Sequence, residues 1–363
     1  MNETLTIRAI RTTAVEVPMK HVLGTSQAAV RAAPLLLIDL ETEEGVTGHA
    51  YLFCYVRGAA AAMATMVAEV ERRVQGDRVA PVDLWKKLAK GFTLIGVQGI
   101  VRMAMAGVDV ACWDALAIAA KRPLATMLGS APRPIRAYNS CGLGLMAPDA
   151  LAREATELLE GGFGAMKLRL GYPTLAEDLA ALAAVRRAVP AGTNIMVDYN
   201  QALSVAEALA RGRALDAEGI YWLEEPIRHD DWRGSARLAR ELAAPVQIGE
   251  NFSLVQGMEE ALHHEACDYV MPDLERIGGV TGWMRAASLA AARGIEMSSH
   301  LFPEVSAHLL AATPTAHWLE YVDWAAPILA EPLAIAEGHA IIPDRPGNGL
   351  AWNREAVERY RIA

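Results

Sequence analysis

Three carboxylates, Asp198, Glu224 and Glu250, recur at intervals of 26 residues, each at the end of a short β-rich run: NIMVDYN, IYWLEE and VQIGE. If the runs are neighbouring parallel strands, one interval is one strand–helix unit and the three acids reach a single point. Like charges crowded into a small volume require a strong compensating cation. Oxygen-only ligands with room for water and substrate favour Mg²⁺ or Mn²⁺ over zinc, which prefers nitrogen and sulfur. The plain alternative is that each acid caps the helix after it; the equal spacing argues against that.

The remaining strand ends are charged too. Asp273 and His300 end YVMPD and EMSSH, and a carboxylate beside an imidazole fixes its tautomer and stabilises its cation, as a general base near neutral pH requires. In AMKLRLG, Lys167 and Arg169 stand two residues apart, so on a strand both point to one face. A carboxylate substrate would then sit between a base and two cations. Removing a proton α to a carboxylate gives a doubly negative enediolate, which a divalent ion, Lys167 and a protonated Glu320 would stabilise. Glu320 needs a raised pKa for that role. Period two turns Glu225 away from Glu224, so a salt bridge behind the strand is expected there. His263, His264, His308 and His317 lack such company and read as structural.

These residues need elements to hold them. From residue 134 onward, eight β-rich runs (IRAYNSCG, AMKLRLG, NIMVDYN, IYWLEE, VQIGE, YVMPD, EMSSH and HWLEYV) alternate with alanine-rich helical patterns. Capping boxes at Thr174/Glu177 and Ser204/Glu207 open two of the helices. Eight such units predict a closed parallel barrel with its site at the carboxyl ends of the strands. A doubly wound open sheet would want an early G-x-G-x-x-G turn, and GGVTG at 278–282 reads instead as turn chemistry before a helix. Ahead of the barrel, grouped strands followed by grouped helices indicate an α+β domain. The expected division is 1–130 for this capping domain, 131–325 for the barrel, and 326–363 for a tail that packs back on the cap.

Composition narrows the function. The chain has 363 residues, 53% hydrophobic and 21% charged, and a net charge of −9, which disfavours nucleic acid as a partner. No apolar run reaches the roughly 20 residues of a membrane span. The opening MNETLTIRAI reads as a strand rather than a secretory signal, so the expected location is cytoplasmic. Cys54, Cys112, Cys141 and Cys267 are far apart and fit reduced, buried thiols.

The motifs GHAYLF, RMAMAGVDVACWDAL, MVDYNQ, WLEEP, MPD with IGGVTGW, and MSSHLFPEVSAHLLAATPTAHWLE carry a resemblance that runs almost end to end. The chain resembles the mandelate racemase subgroup of the enolase superfamily. The resemblance implies a modified (β/α)7β TIM-type barrel under an α+β capping domain, Mg²⁺ at Asp198, Glu224 and Glu250, a His300/Asp273 base dyad, and an electrophilic Glu320. It also implies that Lys167 and Asn200 contact the substrate carboxylate and hydroxyl, and that the protein forms homo-oligomers, octamers or dimers. The muconate cycloisomerase branch fits less well, because it carries lysine where Asp273 stands.

Arg169 departs from the subgroup, whose motif is Lys-x-Lys and whose second lysine is the base for the S enantiomer. Arginine is a poor base at neutral pH. Positions matching the subgroup's substrate-covering loop and barrel lining are Leu23, Val30, Tyr55, Leu301 and Val322, an apolar set to which His21, Thr25, Ser26 and Gln27 add some polarity. The first expectation is therefore Mg²⁺-dependent, mandelate-like racemisation of a small 2-hydroxycarboxylate through an enediolate. One alternative is a sugar-acid dehydratase with a single His/Asp base, in which Arg169 holds an anion or a leaving hydroxide, and another is a metal-binding homologue without turnover. Activation of Arg169 by a neighbouring carboxylate would keep a slow racemase possible.

Overall fold

The computed structural model describes residues 4–26 and 29–362; Gln27 lies outside them. The first strands, β1 (Ile7–Gly24), β2 (Ala29–Thr42) and β3 (Thr47–Phe53), form an antiparallel meander. Leu35 to Leu40 of the central strand β2 are almost all buried, as expected of a strand covered on both faces. Helices α1 (Arg57–Val74), α2 (Pro81–Gly91) and α3 (Gly99–Ala119) follow. α3 is apolar on nearly every side because it lies between this sheet and the second half of the molecule. Gly48 permits the approach, since a Cβ there would stand 2.0 Å from Ala111 O. On its other side Asp109 accepts from Thr281 N at 2.9 Å, and Trp113 Nε1 donates to Thr281 Oγ1 at 3.0 Å.

All eight expected barrel strands are present: β4 (Ile135–Asn139), β5 (Ala165–Arg169), β6 (Asn194–Asp198), β7 (Leu223–Glu224), β8 (Val246–Ile248), β9 (Tyr269–Val270), β10 (Glu296–Met297) and β11 (Leu319–Tyr321). They pair in parallel in sequence order, and β11 returns to β4. Hydrogen bonds from Met297 N to Thr315 O, His317 N to Met297 O and Ser299 N to Trp318 O join β10 to the β11 segment. The sheet is closed, and the open-sheet alternative is excluded. Both capping boxes form. Gly278 and Gly279 adopt φ of 99° and 69° at the start of the helix Gly279–Arg293, a backbone glycine adopts without strain.

The C-terminal segment runs back to the first sheet. Asn348 Nδ2 donates to His49 O at 2.9 Å, Trp352 Nε1 donates to Asp39 Oδ1 at 2.7 Å, and Ile362 N donates to Ala14 O. Tyr51 OH reaches Glu304 Oε2 at 2.7 Å, and Phe53 N donates to the buried Glu275 carboxylate. These bonds tie the capping sheet to barrel helices. All four cysteines are buried and free. Among the described residues no helix is long and apolar enough to cross a membrane.

Tyr138, Ala165, Met196, Trp222 and Trp318 pack as one fully buried cluster. Each stands two residues before the strand-end position Ser140, Lys167, Asp198, Glu224 or Glu320. Side chains two apart share a face, so this cluster is an aromatic floor one layer below the charged layer.

Candidate active site

The charged layer is built by residues near or just beyond the carboxyl ends of the barrel strands. Lys167 is 1% exposed. Its Nζ lies 2.6 Å from Glu224 Oε1, 2.8 Å from Glu320 Oε1 and 3.4 Å from Asp198 Oδ2. Burial alone would lower the lysine pKa, but Glu224, Glu320 and Asp198 outweigh it and hold the ammonium well above its usual range. Trp222 Nε1 donates to Glu224 Oε2 at 3.0 Å. Burial raises the Glu224 carboxyl to about 8, with Asp198 and Glu320 adding to the effect and Lys167 opposing it.

Asn200 has φ 46°, which turns its backbone N–H and Nδ2 back onto the two Asp198 oxygens at 2.7 and 3.0 Å. Its Oδ1 is buried without a partner.

His300 and Asp273 meet as expected, with Nδ1 2.8 Å from Asp273 Oδ2. Asp273 Oδ1 caps the short helix Leu274–Ile277 by accepting from Glu275 N and Arg276 N at 2.8 and 3.1 Å. Its carboxylate is therefore fixed in orientation. The other ring nitrogen, Nε2, lies 3.2 Å from Glu250 Oε2 and 3.9 Å from Glu320 Oε2. Burial opposes charging of the imidazole, but Glu250, Glu320 and Asp273 together raise its pKa well above the ordinary value. Burial likewise opposes ionisation of Glu250, whose pKa is nonetheless lowered by His300, Arg276 and Lys167.

Arg169 is 3% exposed. Its Nη1 donates to Gly142 O at 2.5 Å and Ser140 O at 3.3 Å, and its Nη2 to Ser140 Oγ at 2.8 Å and Ser140 O at 3.3 Å. Its Nε is buried without a partner. Among the described residues no carboxylate lies within 4.0 Å of it, so the neighbour that would have activated it as a base is missing.

Two expectations are corrected. Glu320 is not raised: burial pushes its carboxyl up, but Lys167, His300 and the Leu301 N–H at 2.9 Å pull it down to about 2. Among the described residues Glu225 forms no salt bridge behind the strand. With φ 37° it turns toward the acids and accepts from Gly249 N at 3.1 Å and Asn251 Nδ2 at 3.4 Å. Burial, with Glu250 next, raises it well above the carboxylate range. The expected metal ligands Asp198, Glu224 and Glu250 all reach this layer, each beside a basic side chain of the protein. Lys167 gathers Asp198 and Glu224, while Glu250 turns to His300, as repelling carboxylates do when each pairs with its nearest cation.

At the barrel mouth, Leu23 faces Val30 across the β1–β2 hairpin. The hairpin tip rests on the barrel loops, with Leu145 N donating to Gly24 O and Ser26 Oγ to Tyr199 O at 3.3 Å. Tyr55 has φ 61°; its OH is buried without a partner, and its ring lies 4.8 Å under the Arg276 guanidinium. Leu301, with φ 51°, is buried and donates its N–H to Glu320, and the buried Val322 lies two residues after Glu320. The four histidines set aside as structural stay outside the charged layer; His308 and His317 are driven by burial to about 4.

Residues 7–129 match the mandelate racemase / muconate lactonizing enzyme N-terminal domain, and residues 150–356 match the enolase C-terminal domain-like family. The chain belongs to the enolase superfamily, in its mandelate racemase subgroup. An enolase from the alpha proteobacterium bal199 with bound magnesium superposes with a TM-score of 0.97 at 44% identity, covering 99% of this chain and 100% of that one. An enolase from Bradyrhizobium complexed with magnesium and mandelic acid superposes at 0.96 with 40% identity over 100% of both chains. The L-talarate/galactarate dehydratase of Salmonella typhimurium is 31% identical over 92% of this chain and 84% of its own length.

As a member of the superfamily this is an enzyme of the isomerase or lyase type. Sequence reasoning missed Ser140, Gly142, Arg276 and Trp222. Ser140 ends IRAYNSCG and could have been read by the same strand-end rule; the Gly142 carbonyl carries no side-chain signal.

Proposed function

We propose that the protein removes the α-proton of a 2-hydroxycarboxylate with a single base, His300, and completes a β-elimination of water. The observation that carries this reading is Arg169: a buried guanidinium anchored on Ser140 and Gly142, with no carboxylate beside it among the described residues, is a poor second base for a racemase.

Asp198, Glu224 and Glu250 supply an all-oxygen donor set, and burial and mutual repulsion that raise Glu224 and Glu225 are relieved by a cation there. These residues fit Mg²⁺, held by Asp198, Glu224 and Glu250. When bound, Mg²⁺ supplies positive charge against the substrate carboxylate.

Glu250, the carboxylate that most raises the His300 pKa, is offset when it holds a cation, which favours a neutral imidazole in which the Nδ1–H bond to Asp273 leaves Nε2, facing the chamber, as the accepting nitrogen. Nε2 takes the proton from C2, and the C–H electron pair moves into the enediolate. Lys167, held charged by three carboxylates, stabilises that negative charge. Ionised Glu320 holds Lys167 and accepts from Leu301 N rather than donating to the substrate. The electron pair then expels the C3 hydroxyl. His300 returns its proton to the departing oxygen, so water leaves and the enol rearranges to a 2-keto-3-deoxy acid. Arg169 faces the intermediate as a fixed cation. Asn200, whose Oδ1 lacks a partner, is suited to accept from a substrate hydroxyl.

A second reading, mandelate-like racemisation, draws support from the apolar Leu23, Val30, Tyr55, Leu301 and Val322, and from the mandelic acid complex of the Bradyrhizobium relative. Proton NMR in D₂O with Mg²⁺ separates the two. Loss of water from a sugar acid with no exchange of the second mandelate enantiomer supports the one-base reading, and α-exchange of both mandelate enantiomers overturns it.

A further inference from the structure

Trp222 is 0% exposed and stands two residues before Glu224, so both side chains enter the barrel interior. Its ring is wedged edge-on against Tyr138 and Tyr221, with centroids 5.4 and 5.3 Å away, and meets Tyr269 at 6.4 Å. A ring locked on three sides has one orientation available, and that orientation aims Nε1–H upward at Glu224 Oε2, 3.0 Å away. Lys167 holds the other oxygen, Oε1, at 2.6 Å.

We propose that Trp222 is a positioning residue that fixes the Glu224 carboxylate for cation binding. The inference rests on the reading of Glu224 as a magnesium ligand. A buried carboxylate among like charges has several rotamers that would carry it away from Asp198, and a donor rising from the floor selects the one that keeps it in the charged layer. Trp318 provides an internal comparison. It occupies the same floor beneath Glu320, but its Nε1 has no hydrogen-bond partner. Replacing it disturbs packing without touching a carboxylate.

The test is the affinity of the full-length protein for Mg²⁺, measured by calorimetry without substrate. Trp222→Phe keeps an aromatic ring and removes the N–H; it is expected to weaken Mg²⁺ binding by about 10-fold to 100-fold. Trp318→Phe should leave the affinity within about twofold, since its N–H serves no ligand. Equal effects of the two variants, or none from Trp222→Phe, overturn the proposal. Glu224→Ala separates this from failure of the underlying reading: if it binds Mg²⁺ as the wild type does, Glu224 is not a ligand at all. Should Trp222→Phe not fold, the wild type labelled with ¹⁵N at its indoles answers instead. Mg²⁺ must then shift a slowly exchanging indole N–H that Glu224→Gln also shifts, and eight unmoved signals from the eight tryptophans overturn it.

Discussion

Lys167 Nζ and Glu320 Oε1 meet at 2.8 Å inside the barrel, both almost wholly buried. This contact, with His300 and the Leu301 N–H, keeps Glu320 ionised where a protonated acid was expected. Removing the lysine strands three carboxylates away from water. Lys167→Met is expected to lower stability by roughly 3–5 kcal/mol, the usual cost of breaking a buried pair from one side, and to reduce turnover by about 10²–10³. Urea unfolding and steady-state kinetics on the same preparation check both; near-wild-type stability would show that the carboxylates are reprotonated or solvated.

His300→Asn should lower α-proton exchange by about 10²–10⁴, the range for loss of a general base, without loss of Mg²⁺ binding. Asp273→Asn should act in the same direction, because the imidazole loses the partner that fixes its tautomer. Deuterium incorporation followed by NMR measures each, and unchanged exchange in His300→Asn would remove the dyad from the mechanism.

Arg169→Lys restores the Lys-x-Lys pattern. The lysine can lose its proton where the guanidinium cannot, so this variant should exchange the α-proton of the mandelate enantiomer that the wild type leaves untouched. Chiral chromatography after incubation in D₂O reads the result. If neither enantiomer responds, the anchoring of Arg169 on Ser140 and Gly142 is not what blocks the second face.

Mg²⁺ at 100 times its dissociation constant should stabilise the protein by about 2.7 kcal/mol. Asp198→Asn, Glu224→Gln and Glu250→Gln should each diminish the rise in Tm. A rise that persists in all three would place the ion elsewhere.

Asp109 lies at the junction of cap and barrel, and burial lifts its carboxyl to about 7 despite bonds from Thr281. A folded pKa above the unfolded value near 4 means that the native state binds the extra proton. Its stabilising contribution is complete at low pH and is lost as pH rises from about 4 to 7, by at most about 1.4 kcal/mol per pH unit. Asp109→Asn, which keeps a neutral group there, should flatten this slope in urea unfolding series between pH 5 and 8. An unchanged slope would assign the pH dependence to other groups.

Much of the site was legible because a parallel barrel converts chain position into spatial position. Once the eight β-rich runs are recognised, the end of each strand belongs to one layer, and Asp198, Glu224, Glu250, Asp273, His300, Lys167 and Arg169 follow from spacing alone. The Asp273–His300 contact needed no further information, since neighbouring strands with matched ends leave few other partners.

Ionisation and side-chain pairing were decided only in three dimensions. Whether Glu320 carries a proton depends on Lys167, His300 and one backbone N–H contributed by distant parts of the chain, and Coulomb energies change steeply over ångströms. Glu225 escaped the period-two rule because φ 37° breaks the strand at that residue. Arg169 was visible as an anomaly, but its anchoring on Ser140 and a glycine carbonyl is a matter of tertiary contact. The amino-acid sequence by itself determined the barrel, its charged layer and the chemical types in it, because hydrophobic periodicity and strand spacing are local properties of the chain. Tertiary structure alone decided which groups are paired and which hold protons, because burial and distance set those energies.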